Sequence, residues 1–143
     1  MNYDLGHWVT ELPSFAPEEY FGFVYLVTDL INNKQYIGKK QFYFTIKRPP
    51  LKGRKNKRHV KTDSKWRSYT TSSEHVNAAI LASGQPSFIF EIISLHKTKG
   101  ELHYAEVEQL VKRDCLIARD AQGQRTFYNG QIPAVKFIPK IHK

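Results

Sequence analysis

The sequence predicts an α+β fold: a small three-stranded antiparallel sheet flanked by helices. Three observations predict it. The stretch FVYLVTDLINNKQYIGKK, from Phe23 to Lys40, reads as a β-hairpin. The apolar run Phe88–Ile93 reads as a buried third strand. Two capped helical patterns bracket that strand. With 143 residues the chain is long enough for one domain with a real core. That domain is expected over residues 22–143, with residues 1–21 as an arm and residues 47–67 as a basic insertion.

The arm carries Asp4, Glu11, Glu18 and Glu19, punctuated by Pro13 and Pro17. Trp8 and Phe15 are its candidate anchors on the domain or on a second subunit, and a disordered leader is the alternative. In the hairpin, the strands Phe23–Asp29 and Lys34–Lys40 are rich in aromatic and β-branched residues. Asn32-Asn33 is the candidate tight turn, since asparagine tolerates positive φ. Symmetric pairing about that turn sets Tyr25 opposite Lys40, Val27 opposite Gly38 and Asp29 opposite Tyr36, all on one face. Val24, Leu26 and Ile37 fall on the other face, the expected core side. Gly38 then leaves room for a ligand above the sheet.

The insertion holds Lys47, Arg48, Lys52, Arg54, Lys55, Lys57, Arg58, Lys61, Lys65 and Arg67, ten of the 22 lysines and arginines, against one acid, Asp63. Pro49, Pro50 and Gly53 argue against regular structure at its start. A flexible basic loop suits binding to a phosphate backbone, and Lys39 extends the cationic stretch back into the hairpin. A merely solvated charge run is the alternative. Next, Ser72 or Ser73 is placed to cap a helix with Val76, Ala79 and Ile80 on one side, ending at Gly84. After the third strand, Thr98-Lys99-Gly100-Glu101 has capping-box spacing, and its helix is expected to run to about Leu116.

On that second helix, Glu106 is one turn from Leu102 and one turn from Leu110, on the inward stripe. Glu108 lies about 200° further round. An inward carboxylate is costly unless it has a cation or hydrogen-bond partner. A divalent Mg²⁺ or Mn²⁺ ion meets that need, with Glu106 as ligand and Glu108 as second candidate. A salt bridge to Arg113 or Lys112 is the competing reading.

Composition narrows the function classes. Hydrophobic residues at 41% and aromatics at 13% exclude a disordered chain. The net charge of +9 favours a polyanionic partner, most simply nucleic acid. Cys115 stands alone, so no intrachain disulfide and no cysteine-rich metal site form. The sequence lacks a membrane-spanning apolar run and a secretion signal, and a cytoplasmic location is the expectation.

Several of these residues together resemble the GIY-YIG nuclease family. Phe23-Val24-Tyr25 stands in for GIY, Tyr36-Ile37-Gly38 is a full YIG, and ten residues separate the two tyrosines, the family's usual spacing. The first motif departs at its glycine, where Phe23 sits and Gly22 is one residue early. Tyr104-Ala105-Glu106 followed by Gln109 looks like the phage version of the family's metal-binding motif, and Phe127-Tyr128-Asn129-Gly130 matches its asparagine motif. The resemblance spans residues 22–132.

It implies a divalent-metal-dependent DNA endonuclease that leaves a 5′-phosphate and a 3′-hydroxyl, from a phage or mobile element, for homing or competitor-genome cleavage. Double-stranded DNA is the expected partner, and a homodimer is open. Glu106 would bind the single metal ion. Tyr25 or Tyr36 would take the attacking water's proton, if nearby cations lower a phenol's pKa. Asn129 would hold the catalytic carboxylate or a backbone turn, or simply form an Asn-Gly turn. The family arginine that follows YIG has no match at its usual spacing. Lys40 is the phosphate-facing cation by the hairpin argument, Arg67 is the best arginine candidate and Arg48 a weaker one. His59 and His75 are available as acid, base or phosphate contact, and Lys136, Lys140, His142 and Lys143 add charge at the tail. The alternative of another class is a nuclease-like fold that only binds nucleic acid, and an RNA-directed enzyme is a third reading.

Overall fold

The computed structural model describes residues 3–136, so Lys140, His142 and Lys143 lie outside the described residues. The sheet has four strands rather than three, and it is mixed rather than antiparallel. The strands are β1 (Trp8–Thr10), β2 (Gly22–Asp29), β3 (Gln35–Gln41) and, later in the chain, β6 (Phe88–His96). Their order is β1-β6-β2-β3, with β1 parallel to β6 and the other pairings antiparallel. The extra strand comes from the N-terminal arm. Its three residues are too short to announce a strand, and what fixes it is Trp8, buried against Phe23, Tyr25 and Phe90 with its indole N–H donating to the Trp66 carbonyl at 2.7 Å. Phe15, the second anchor, is also buried.

The hairpin forms, in a different register. Tyr25 pairs with Gly38, Val27 with Tyr36 and Phe23 with Lys40. The loop is Leu30 to Asn33, closed by the Asp29 N–H donating to the Lys34 carbonyl at 2.8 Å. Asp29 accepts from the Ile31 N–H and Asn32 from the Lys34 N–H, and Asn33 takes the left-handed conformation with φ 61°. Two side chains that bond their own backbone thus favour a four-residue loop over the two-residue turn. The slip preserves parity, so Tyr25, Tyr36, Gly38 and Lys40 still share a face.

The expectation of one core side and one open side does not hold. β2 is an interior strand, and Phe23 through Val27 are all buried. On one face Val24, Leu26 and Ile37 pack with Leu102, Ala105, Leu110 and Phe127. On the other, Phe23, Tyr25 and Val27 pack with Trp8, Phe42, Trp66, Val76 and Phe90. A continuous apolar run, not an alternating one, marks such a strand. A β-bulge at Ile93 on β6 shifts the pairing between Val24 and Tyr25.

The basic insertion is a second correction. It is not an irregular loop but an antiparallel ribbon of β4 (Tyr43–Arg48) and β5 (Arg58–Asp63), with Pro49 and Pro50 ending β4. Helix α1 (Glu74–Ser83) is capped by Ser73, whose hydroxyl accepts from the Val76 N–H at 3.3 Å, and it ends at Gly84 with φ 87°. Helix α2 (Lys99–Lys112) is capped by Thr98 and packs on β2, β3 and β6. It ends four residues before Leu116, where Asp114 turns left-handed with φ 52°. Among the described residues, no helix is long and apolar enough to cross a membrane.

Candidate active site

The site is assembled on β3, the edge strand. Tyr25 of β2 sits opposite Gly38, and its ring lies across that glycine. A Cβ at Gly38 would overlap the Tyr25 hydroxyl and ring carbons. The room above Gly38 is therefore taken by Tyr25 rather than left for a ligand. Tyr25 is fully buried, and its hydroxyl donates to Thr71 Oγ1 at 3.2 Å. Its ring lies 6.3 Å from Tyr36 and edge-on, 6.2 Å, to Tyr69. The Tyr36 hydroxyl is 3.5 Å from Ser72 Oγ. The Tyr69–Ser72 segment thus reaches back from the ribbon over the hairpin. No sequence motif flagged it. Lys40 pairs with Phe23 rather than with Tyr25 as the hairpin argument had it, and its ammonium lies 4.1 Å from the Tyr69 ring centre and 5.0 Å from that of Phe44.

The phenols are not poised as bases. Burial, with the Tyr69 charge adding to it, pushes Tyr25 well above its ordinary value near 10. Burial also raises Tyr36, and the Glu106 carboxylate pushes the same way. The protein's own cations do not bring either phenol down, and both hold their protons at neutral pH. Lys40 is lowered, first by burial, with Asp63 opposing.

Glu106 occupies the inward stripe as expected, beside buried Leu102, Ala105 and Leu110. It is 8% exposed, and its Oε1 is buried without a hydrogen-bond partner. Burial raises its pKa, and the Lys39 charge opposes. Arg113, a partner in the competing salt-bridge reading, instead donates to Gln109 Oε1 at 2.9 Å, and Glu108 is exposed. Among the described residues, no group of three or more His, Cys, Asp or Glu side chains is placed to hold a metal ion. A single orphaned carboxylate oxygen fits a hard divalent ion that keeps most of its waters, and would not fit a zinc-type cage.

Asn129 does not hold the carboxylate. Its amide clamps β3: Oδ1 accepts from the Ile37 N–H at 3.0 Å and Nδ2 donates to the Ile37 carbonyl at 2.8 Å. Arg125 in turn donates to the Asn129 carbonyl and, at 3.2 Å, to that of Cys115.

Arg67 is not at the site. Its Nε donates to the Asp4 carbonyl at 2.8 Å, its guanidinium stacks 4.4 Å from the Trp66 ring centre, and it lines a separate cleft with Pro17 and Glu18. The basic residues near Tyr36 are different. On one side, a groove of about 600 Å³ is lined by Tyr36, Lys34, His75 and Arg125. On the other, one of about 410 Å³ is lined by Lys39, Lys40, Lys99 and His103 together with Ser72. His103 is on α2, one turn before Glu106, so helical spacing alone would have found it. Arg48, Lys52, Arg54, Lys55, Lys57, Arg58 and Lys65 are exposed along the ribbon and at its end, as are Lys47 and Lys61.

The family model described as "Putative endonuclease segE, GIY-YIG domain" matches residues 8–132. No curated protein and no solved structure matches the chain.

Proposed function

The chain belongs to this segE-type GIY-YIG endonuclease-domain family, and from that premise we propose that it is a divalent-metal-dependent endonuclease hydrolysing phosphodiester bonds in double-stranded DNA. The observation that carries the reading is the Glu106 carboxylate, buried with an orphaned oxygen on the same edge of the sheet as Tyr36 and Lys39. Burying a carboxylate without a partner is unfavourable, so the position fits one that is completed by a cation. Glu106 would hold a Mg²⁺ or Mn²⁺ ion. When bound, the ion supplies a more acidic water and neutralises charge on the scissile phosphate.

The chain's own groups do the rest. Lys39 and Lys40 neutralise charge building on the phosphoryl oxygens. The protonated Tyr36 hydroxyl is a donor to a phosphate oxygen or to the attacking water, and Tyr25 braces the ring from below. Lys34 and Arg125, not Arg67, are the groove cations within reach of a strand passing Tyr36, and His75 lines the same groove. Asn129 keeps β3 straight so that these groups stay aligned. Hydrolysis adds water across the P–O bond: the water oxygen joins phosphorus, and the leaving oxygen departs with a proton.

Two observations favour the reading of a fold that only binds: both phenols are held protonated, and the candidate arginine is diverted to the arm. Supercoiled plasmid with Mg²⁺, incubated with the chain and with Glu106→Gln, separates the two. Nicked or linear product from the wild type alone supports the nuclease. Salt-sensitive binding without cleavage of several plasmids supports the binding module, and equal cleavage by both proteins removes Glu106 from the site.

A further inference from the structure

The ribbon of β4 and β5 is built more rigidly than phosphate binding requires. Its root is fixed on both strands. Phe42 and Trp66 are buried in edge-to-face contact at 4.9 Å, Ser64 Oγ donates to the Gln41 carbonyl at 2.6 Å, and the Ser64 N–H donates to the Phe42 carbonyl at 3.2 Å. Tyr43 packs edge-on to Phe21 at 5.9 Å. β4 begins two residues after β3 ends, so the ribbon is a direct extension of the strand that carries Tyr36, Lys39 and Lys40.

The pairing register gives the ribbon two unlike faces. Phe44, Ile46 and Arg48 alternate on β4 and pair with Thr62, Val60 and Arg58 on β5. This face opens onto the active-site groove at its root, since Phe44 lines that groove beneath Lys40. It carries Phe44, 40% exposed, at the root and Ile46 opposite Val60 in the middle, and ends in two arginines directly opposite each other. Like charges in that position repel. At the tip of a fixed ribbon, with Arg58 Nε also donating to the Pro49 carbonyl at 3.3 Å, they make sense against an acceptor-rich ligand.

We propose that this face, Phe44-Ile46-Arg48 with Arg58-Val60-Thr62, enters the DNA major groove and reads base edges beside the cleavage point; the inference rests on the endonuclease reading above. The major groove admits a two-stranded ribbon. Paired guanidinium groups suit guanine O6 and N7, and Ile46 and Val60 suit thymine methyls. Lys52, Arg54, Lys55 and Lys57 on the connecting turn would fall on phosphates instead. Arg48 is four residues from Phe44, about 13 Å along the strand, so the bases read should lie roughly four to six base pairs from the cut. A chain with no separate DNA-reading domain among its described residues would draw its target preference from this element.

The test uses binding first, so that it does not depend on cleavage. The full chain carrying Glu106→Gln selects from a random double-stranded DNA pool, and the same selection is run with Arg48→Lys/Arg58→Lys added. That pair keeps the charge and loses the planar fork, while circular dichroism confirms folding. The expected result is an enriched motif containing guanine, preferred about ten- to a hundredfold at its key positions, and lost in the lysine pair with the salt dependence of binding unchanged. An unenriched pool, a motif that survives the lysine pair, or enrichment from an RNA pool alone would overturn the proposal. Wild-type chain that selects the motif yet fails to cut it with Mg²⁺ would instead overturn the endonuclease reading and leave the ribbon's role standing.

Discussion

At the scale of single residues, Glu106 and Gly38 carry opposite kinds of constraint. Glu106 costs the fold stability, since its carboxylate is buried with one oxygen unpartnered. Its folded-state pKa is raised by burial, so the folded chain binds this proton more tightly than the unfolded chain does. Stability must then fall as pH rises from the unfolded value through the raised one, and it is recovered on acidification. Replacing Glu106 with glutamine removes the charge and should stabilise the metal-free protein at neutral pH by about 1 kcal/mol, with the gain shrinking as the solution is acidified. Urea titrations of both proteins from pH 4 to 8 measure it; a constant difference across that range would show that burial is not the cause. Gly38 is constrained by sterics. Gly38→Ala drives a methyl into the Tyr25 ring, and a loss of about 2–3 kcal/mol is expected. Adding Tyr25→Phe should not restore stability, because the ring carbons overlap that methyl as well as the hydroxyl does. Rescue in a thermal melt of the double variant would place the clash at the hydroxyl alone.

At the scale of elements, the edge strand β3 depends on a residue far along the chain. Asn129 satisfies both backbone groups of Ile37, which β2 does not reach on that side. Asn129→Ala leaves a buried N–H and a buried carbonyl unpaired, at a cost of about 2–4 kcal/mol. Asn129→Asp should be nearly as damaging, because a carboxylate accepts from the N–H but has nothing to donate to the carbonyl. Hydrogen exchange at Ile37 provides the readout: its protection should collapse in both variants, and retained protection would mean the clamp is dispensable. The sequence showed this asparagine through its motif but not what it holds, since a clamp 92 residues away in the chain leaves no local pattern. The same limit explains β1. Both helix caps, the Gly84 stop, the third strand and the inward place of Glu106 were legible because each is a local signal of capping or period. The burial of Tyr25, the diversion of Arg67 to Asp4 and the Tyr69–Ser72 cover were not, because each depends on segments that meet only in three dimensions.

At the scale of the whole molecule, the charge of +9 is arranged rather than spread. Acids gather in the N-terminal segment, where Glu18 lines the cleft that also holds Arg67 and Lys61. The groove beside Tyr36 and the ribbon that leads away from it carry the cations. A duplex lying along that path would touch groove and ribbon together, and each neutralised phosphate contributes about 0.9 to the slope of log affinity against log salt. Replacing Lys52 and Lys55 with alanine removes two charges from the exposed turn, and the slope should become shallower by up to about 1.8 if both meet phosphate. Replacing Arg67 with alanine removes a charge already committed to the arm, so the slope should stay within error while the melting temperature drops through loss of the Asp4 contact and the Trp66 stack. Fluorescence anisotropy with a duplex between 50 and 300 mM salt distinguishes these outcomes. An Arg67 variant that flattens the slope as much as the turn variant would put DNA across the cleft beside the arm instead.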